Sequence, residues 1–167
     1  MEWLDKLMQT AAPDGTPASL RDAERAIGNG FPDSYVSLVD AYGAGYFDDF
    51  LYLLSLNNSN KYLDVSYQTC AQREALRAVS AGGERPPSRI KSIDDLFVWA
   101  MTDNGDVCCW MPSDEEGCVA IMDSRAHEWC FYDMSITEFL YKLPHKDIVV
   151  SVFPPDFPGS DHVFSRL

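Results

Sequence analysis

The chain has 167 residues, of which 46% are hydrophobic and 13% aromatic, a composition typical of one globular domain and not of a disordered chain. It carries 26 acidic and 13 basic residues for a formal charge of -13, which disfavours nucleic acid as a direct ligand because phosphate binding needs clustered Lys and Arg. No apolar run approaches the roughly 20 residues of a membrane span. The first residues also lack the basic segment and apolar core of a signal peptide, so we expect a cytoplasmic protein.

The charged residues are spread unevenly along the chain. Residues 1–50 hold nine acids and three bases, residues 51–91 three acids and six bases, and residues 92–167 fourteen acids and four bases. A field of this sign would steer a basic macromolecule toward the acidic flanks. The alternative explanation is that the charge only keeps the protein in solution.

Apolar residues recur at helical spacing through the first half of the chain. They predict helices over residues 2–9, 19–27 and 31–42. A longer helix is predicted over about 60–80, with its N-cap among the Asn and Ser residues at 57–60.

A β-hairpin is predicted within the segment from Phe97 to Tyr132. Asn104-Gly105 is the favoured pair for a two-residue hairpin loop, because that turn needs positive φ at both positions. The same loop would set Asp103 against Asp106, where like charges repel. Both faces of the hairpin are apolar, which predicts strands in the interior of a sheet that is covered on each side. Counting outward from the loop gives the expected register: Met101 against Cys108, Ala100 against Cys109, Trp99 against Trp110 and Val98 against Met111.

Further strands are predicted before and after this hairpin. A run of Leu and aromatic residues at 50–56 predicts the first strand. Residues 118–123 and 128–133 predict a later pair, and residues 147–153 predict a last strand.

The end of the chain completes the predicted fold. Ser135 and Glu138 form a capping-box pattern that begins the closing helix. We expect an α+β fold in one domain over residues 1–167, with a largely antiparallel central sheet of about five or six strands backed by helices. The N-terminal helix and the Pro-rich tail at 144–167 are expected to pack on a core of about 19–143.

No pattern in the sequence argues for an enzyme or a metal site. Cys118, His127 and Cys130 lack the paired spacing of a zinc knuckle. The segment Asp103-Asn104-Gly105-Asp106 has the residue types of a calcium loop without its twelve-residue spacing. Consecutive carboxylates in loops diverge, whereas a glycosidase needs two separately placed acids. We therefore expect no cofactor, no metal and no catalysis.

Four segments carry a family resemblance: Phe31-Pro32-Asp33-Ser34-Tyr35 through Tyr42-Gly43-Ala44-Gly45, Phe97-Val98-Trp99-Ala100 with Asp103-Asn104-Gly105-Asp106, Val119 to Asp123, and Ser135 with Glu138-Phe139-Leu140. In this order they resemble the SUKH superfamily, best known for bacterial immunity proteins and a yeast regulator of cell-wall synthesis. The resemblance implies a SUKH-like α+β domain that works by binding and not by turnover. The chain departs from the family in three places: Gly43-Ala44-Gly45 replaces the usual glycine pair, the long helix at 60–80 with its basic loop has no clear counterpart, and the tail beyond Pro144 is longer.

The resemblance also implies a function. We expect an immunity protein that neutralises a cognate bacterial toxin domain by stoichiometric occlusion, with a nuclease as the favoured kind of toxin. The partner is then a basic protein, with no nucleic-acid or membrane ligand, and the chain is a monomer or weak homodimer. Two other interpretations stay open: a regulatory or scaffolding adaptor, and a small hydrolase that uses an acid pair. The expected partner contacts are loop acids with two aromatic anchors: Tyr46, Phe47, Asp48, Asp49, Asp103, Asp106, Asp114, Glu115 and Glu116.

Overall fold

The computed structural model describes residues 2–11, 31–113 and 117–167. These residues form four α-helices and seven β-strands. The helices are α1 (Glu2–Thr10), α2 (Asp33–Tyr42), α3 (Val65–Ala81) and α4 (Ile136–Lys142). The strands are β1 (Gly45–Phe47), β2 (Leu51–Leu53), β3 (Phe97–Thr102), β4 (Val107–Met111), β5 (Cys118–Met122), β6 (Trp129–Tyr132) and β7 (Phe164–Arg166). The helix predicted over residues 19–27 lies outside the described residues.

The seven strands form one antiparallel sheet in the order β6-β5-β4-β3-β2-β1-β7. The predicted α+β fold with an antiparallel sheet backed by helices is confirmed, with one strand more than the predicted upper number. From β1 to β6, strands that are consecutive in sequence are neighbours in the sheet. This order is expected for strands joined by short hairpins and by a single helical connection between β2 and β3.

Helices cover both faces of this sheet. On one face, the ring of Tyr35 in α2 lies 4.8 Å from Phe97, and Phe139 in α4 lies 6.1 Å from Trp99. On the other face, α3 is fixed to the start of β3, where Thr69 Oγ1 accepts a hydrogen bond from the Val98 amide at 3.1 Å. Burial of both faces explains why the central strands show no alternation of apolar and polar residues.

The closing helix begins where its sequence pattern indicated, whereas the long helix does not. Ser135 Oγ accepts a hydrogen bond from the Glu138 amide at 3.2 Å, as the capping box requires. For α3 the N-cap is Asp64, whose carboxylate accepts from the Tyr67 amide at 2.9 Å. Asn60, one of the expected cap candidates, instead caps the short 3₁₀ turn that precedes α3, because two adjacent cap signals divide the segment into two helical pieces.

The predicted two-residue hairpin loop is wrong. The Thr102 amide donates to the Asp106 carbonyl at 3.0 Å and the Gly105 amide donates to Thr102 at 2.9 Å, which leaves a three-residue loop. Gly105 takes φ +84°, as in the common three-residue loop that ends on a left-handed residue. The observed register is therefore shifted from the predicted one: Met101 against Val107, Ala100 against Cys108, Val98 against Cys109 and Phe97 against Trp110, with an irregularity between Val98 and Ala100.

The first predicted strand is shorter than expected and has a partner that the sequence did not reveal. The strand at 50–56 is reduced to β2, and it pairs with β1, a strand of three residues that follows directly after the glycine-rich end of α2. Three residues are too few for an apolar alternation to be visible in a sequence.

The last strand lies in the tail and not at residues 147–153, which form turns. β7 pairs with β1, and Phe164 is fully buried against Tyr42 and Phe47. The side chain of Arg166 donates to the carbonyl oxygens of Tyr42 and Ala41 at 2.6 and 2.9 Å. A cation in this position also compensates the negative end of the α2 dipole. The end of the tail is thus an edge strand of the sheet.

Among the described residues, none of the helices has the length and apolar character needed to cross a membrane.

Candidate partner-binding surface

Three hairpin turns lie at the same end of the sheet, because each connects an odd-numbered strand to the next even-numbered one. They are Asp48–Phe50, Asp103–Gly105 and the β5–β6 turn at 123–128. The tail enters β7 at this end as well, since Phe164 is the register partner of Phe47. We call this the turn end. It brings together Asp48, Asp49 and Asp103, three of the predicted contact residues.

Three of the other predicted acids lie in the segment of the sequence that joins β4 to β5. Ser113 and Gly117 lie between β4 and β5, at the opposite end of the sheet. Asp114, Glu115 and Glu116, which they flank, lie outside the described residues. Their role as contact residues stays a prediction.

An acidic cleft of about 610 Å³ opens at the turn end. Four carboxylates line it, two from the β1–β2 turn and two from the tail: Asp48, Asp49, Asp156 and Asp161. Phe50 and Phe157 supply an aromatic wall, with ring centroids 4.5 Å apart. Within the described part of the chain, no lysine or arginine lines the cleft. Asp103 lies beside it, because its amide donates to the Phe50 carbonyl at 2.9 Å.

Asp48 attaches the tail to this end of the sheet. Its Oδ1 accepts from the Val163 amide at 2.7 Å, and its Oδ2 lies 3.2 Å from His162 Nδ1. The Asp48 amide in turn donates to the Val163 carbonyl at 2.9 Å. Asp48 and Asp49 both have positive φ, 48° and 53°, a conformation that Asp tolerates better than most residues. The carboxylate of Asp48 is thus occupied within the protein, whereas Asp49, Asp156 and Asp161 are exposed.

Phe47 and Asp106 are buried, so neither side chain is available to a partner, contrary to the prediction. Phe47 packs between Tyr42 and Phe164, with ring centroids at 5.4 and 4.6 Å. Asp106 faces Thr102 and not Asp103, and its carboxylate accepts from Thr102 Oγ1 at 2.8 Å and from the Ser124 amide at 3.1 Å. Because the loop has three residues, Asp106 is hydrogen-bonded to Thr102 across the hairpin. Its carboxylate thereby links the β3–β4 turn to the β5–β6 turn.

Replacing Asp106 by alanine should therefore lower stability without being a test of binding. It removes two hydrogen bonds to a buried carboxylate and leaves the Ser124 amide without its side-chain acceptor, which we expect to cost about 2–4 kcal/mol. Urea denaturation measures the free energy of unfolding. The control is Asp103→Ala, at an exposed position of the same turn. Its free energy of unfolding should lie within about 0.5 kcal/mol of the wild type. Equal stability of the two variants would contradict the structural role of Asp106.

Tyr46, the other predicted anchor, lies on the opposite face of the sheet from Phe47 and is half-buried. It belongs to a row of register partners that crosses the sheet near the turn end, in which Tyr46, Tyr52, Met101 and Trp129 are half-buried. Tyr and Trp, and to a lesser degree Met, are enriched at the centres of protein interfaces. The row consists of Ser165, Tyr46, Tyr52, Met101, Val107, Met122 and Trp129.

A family model described as SMI1-KNR4 cell-wall (SUKH_6) matches residues 17–140. The chain belongs to the SUKH superfamily. The match confirms the resemblance inferred from the order of the sequence segments. It also ends before the tail, so the SUKH family model does not cover Asp156, Phe157, Asp161 or β7. Searches of curated proteins and of solved structures found no significant match.

The two adjacent cysteines of this SUKH domain are packing residues. Cys108 and Cys109 lie in β4 and are buried, and burial raises the pKa of the Cys109 thiol to about 12. A thiol of that pKa is protonated at neutral pH and is not nucleophilic. Within the described residues, His, Cys, Asp and Glu side chains form no group of three or more with a metal-binding arrangement.

Sequence reasoning missed half of the acidic cleft. Asp156, Phe157 and Asp161 lie in a segment whose only visible signal is its proline and acid content, and their place depends on the pairing of β7 with β1. Tyr52 was assigned to a strand but not to a surface. Its alternation with the fully buried Leu51 and Leu53 is the signal that places it on the other face.

Proposed function

We propose that this SUKH protein is a cytoplasmic immunity protein that binds a cognate bacterial toxin domain and neutralises it by stoichiometric occlusion. The favoured kind of toxin is a nuclease, and the protein itself performs no catalysis. Membership of the SUKH superfamily supports the class of function. The observation that carries the proposal is the acidic cleft, which has an aromatic wall and no basic lining residue among those described.

Such a cleft suits a partner that binds phosphates. A nuclease holds nucleic acid with clustered Lys and Arg, and exposed carboxylates can take the place of the phosphates opposite those side chains. Asp49, Asp103, Asp156 and Asp161 are exposed at the turn end and would provide this match. Complementary charge of this kind mainly raises the association rate and selects the partner. Apolar and aromatic groups at the centre of the interface then supply most of the affinity.

Occlusion also explains why the carboxylates need no special chemistry. A hydrolase acid pair needs one carboxyl in an environment that raises its pKa. Asp49, Asp156 and Asp161 are instead exposed to water and are not enclosed in an apolar environment of that kind. Exposed carboxylates are what a surface for a basic protein requires.

The test is protection of cells from a toxin. Each toxin domain encoded in the same genome is expressed from an inducible promoter, with and without this chain, and surviving colonies are counted. We expect protection against one toxin domain, and co-purification of that domain with the chain in a 1:1 complex. If no toxin is neutralised while the chain purifies with another folded protein, the regulatory or scaffolding adaptor is the correct interpretation.

A further inference from the structure

Three of the aromatic pairs on this protein are accompanied by a cation of the chain itself. Lys61 Nζ lies 5.0 and 5.1 Å from the ring centroids of Tyr62 and Tyr67. Lys6 Nζ lies 4.3 Å from the Trp3 ring and 5.8 Å from its neighbour Tyr141. A cation within about 6 Å of a ring is attracted by the negative face of its π system.

The third such pair lies at the β6 edge. Trp129 and Phe131 are stacked with centroids 6.0 Å apart and an interplanar angle of 8°. The guanidinium carbon of Arg89 lies 5.3 Å from the Phe131 centroid. Three separate aromatic pairs thus each have a lysine or arginine of the same chain over one or both rings.

The aromatic pairs at the turn end differ from these three. Tyr46 and Tyr52, with centroids 5.5 Å apart at 49°, have no lysine or arginine over them among the described residues. The same holds for Phe50 and Phe157 in the acidic cleft. Asp49 lies in the turn that joins the strands of Tyr46 and Tyr52, and Phe50 and Phe157 line the cleft together with Asp49, Asp156 and Asp161.

We propose that the Tyr46–Tyr52 pair receives an arginine side chain of the partner protein. The guanidinium would lie on the tyrosine rings while the neighbouring carboxylates, Asp49 foremost, hold its charge. Arginine fits better than lysine, because its planar and weakly hydrated head group stacks on rings and bonds carboxylates in the same plane. This inference rests on the proposed function and places the centre of the interface at Tyr46 and Tyr52.

The occupant is a basic protein and not a second copy of this chain. Two copies that met at this surface would bring Asp49 and Asp103 of one against the same acids of the other, and each copy carries a formal charge of -13. Like charges brought together in this way oppose association. An arginine side chain of a basic partner is instead attracted by these carboxylates.

The first test uses two peptides of equal charge, hexa-arginine and hexa-lysine, titrated into the full chain at low salt by calorimetry. We expect hexa-arginine to bind more tightly, and Tyr46→Leu/Tyr52→Leu to weaken it by at least about tenfold. Tyr46→Phe/Tyr52→Phe keeps the rings and should bind within about twofold of the wild type. The matched control is Tyr62→Leu/Tyr67→Leu, which removes the pair that Lys61 already accompanies and should also leave binding unchanged. Thermal unfolding of each variant shows that it is folded before it is titrated.

The outcomes separate this inference from the proposed function. If both the Leu and the Phe double variants bind hexa-arginine like the wild type, or both lose it equally, the ring pair is not an arginine receptor. Protection of cells from the toxin can still hold in that case. If no toxin is neutralised but the peptide result is as expected, the receptor stands and the immunity function fails.

Discussion

Replacing Asp49, Asp156 and Asp161 together by asparagine is expected to slow association with the toxin domain by roughly ten- to a hundredfold at low ionic strength. These three exposed carboxylates line the acidic cleft, and their field would steer a basic partner toward it. Stopped-flow mixing gives the association rate. The difference from the wild type should shrink with added salt, as the Debye length falls from about 10 Å at 0.1 M to about 3 Å at 1 M.

The control variant removes the same charge from elsewhere. Asp40→Asn/Glu74→Gln/Asp95→Asn neutralises three exposed acids that do not line the cleft. It should associate at close to the wild-type rate, because screened charges act over about one Debye length. If both triple variants slow association equally, the effect comes from net charge and the cleft is not the recognition site. If neither changes the rate, electrostatic steering itself is refuted.

Truncating Phe164 to alanine is expected to lower the free energy of unfolding by about 3–5 kcal/mol. Its side chain is fully buried, and its ring lies 4.8 Å from Tyr42 and 4.6 Å from Phe47. The loss would combine the transfer of an aromatic side chain to water with a cavity between α2 and β1. Urea denaturation with linear extrapolation measures it.

The neighbouring residue provides the matched control. Val163 is 52% exposed, so Val163→Ala should stay within about 0.5 kcal/mol of the wild type. A loss below 1 kcal/mol for Phe164→Ala would mean that the tail is not an integral strand of the sheet. In that event the tail acids could not be held at the turn end, and the cleft would lose Asp156 and Asp161.

Elements with local signals were predicted well. The closing helix follows from Ser135 and Glu138 alone, because a capping box is defined within four residues. The central strands follow from their unbroken apolar runs. The predicted register of the hairpin was wrong because a long-range contact determines the observed one. Asp106 is held by Thr102 and by the Ser124 amide on the next hairpin, and local turn preferences do not contain that bond.

The residues of the candidate surface also divide into those with a local sequence signal and those placed by long-range contacts. Asp48, Asp49 and Asp103 were expected from the sequence because acids beside turn residues are loop residues. Which of Tyr46 and Phe47 faces outward depends on the face of β1 against which α2 and the Phe164 side chain pack, and the sequence pattern alone leaves that choice open. The tail acids Asp156 and Asp161 lie at the turn end because β7 pairs with β1, and this pairing involves only three residues of each strand.

Hydrogen exchange of the chain with and without its toxin domain is the most direct measurement of where the partner binds. We expect the amides of the turn end to exchange more slowly in the complex, at residues 46–52, 103–105 and 156–163. Slowed exchange confined to α3 and the basic segment at 61–91, with the turn end unchanged, would show that the partner binds elsewhere and would contradict an acidic recognition surface.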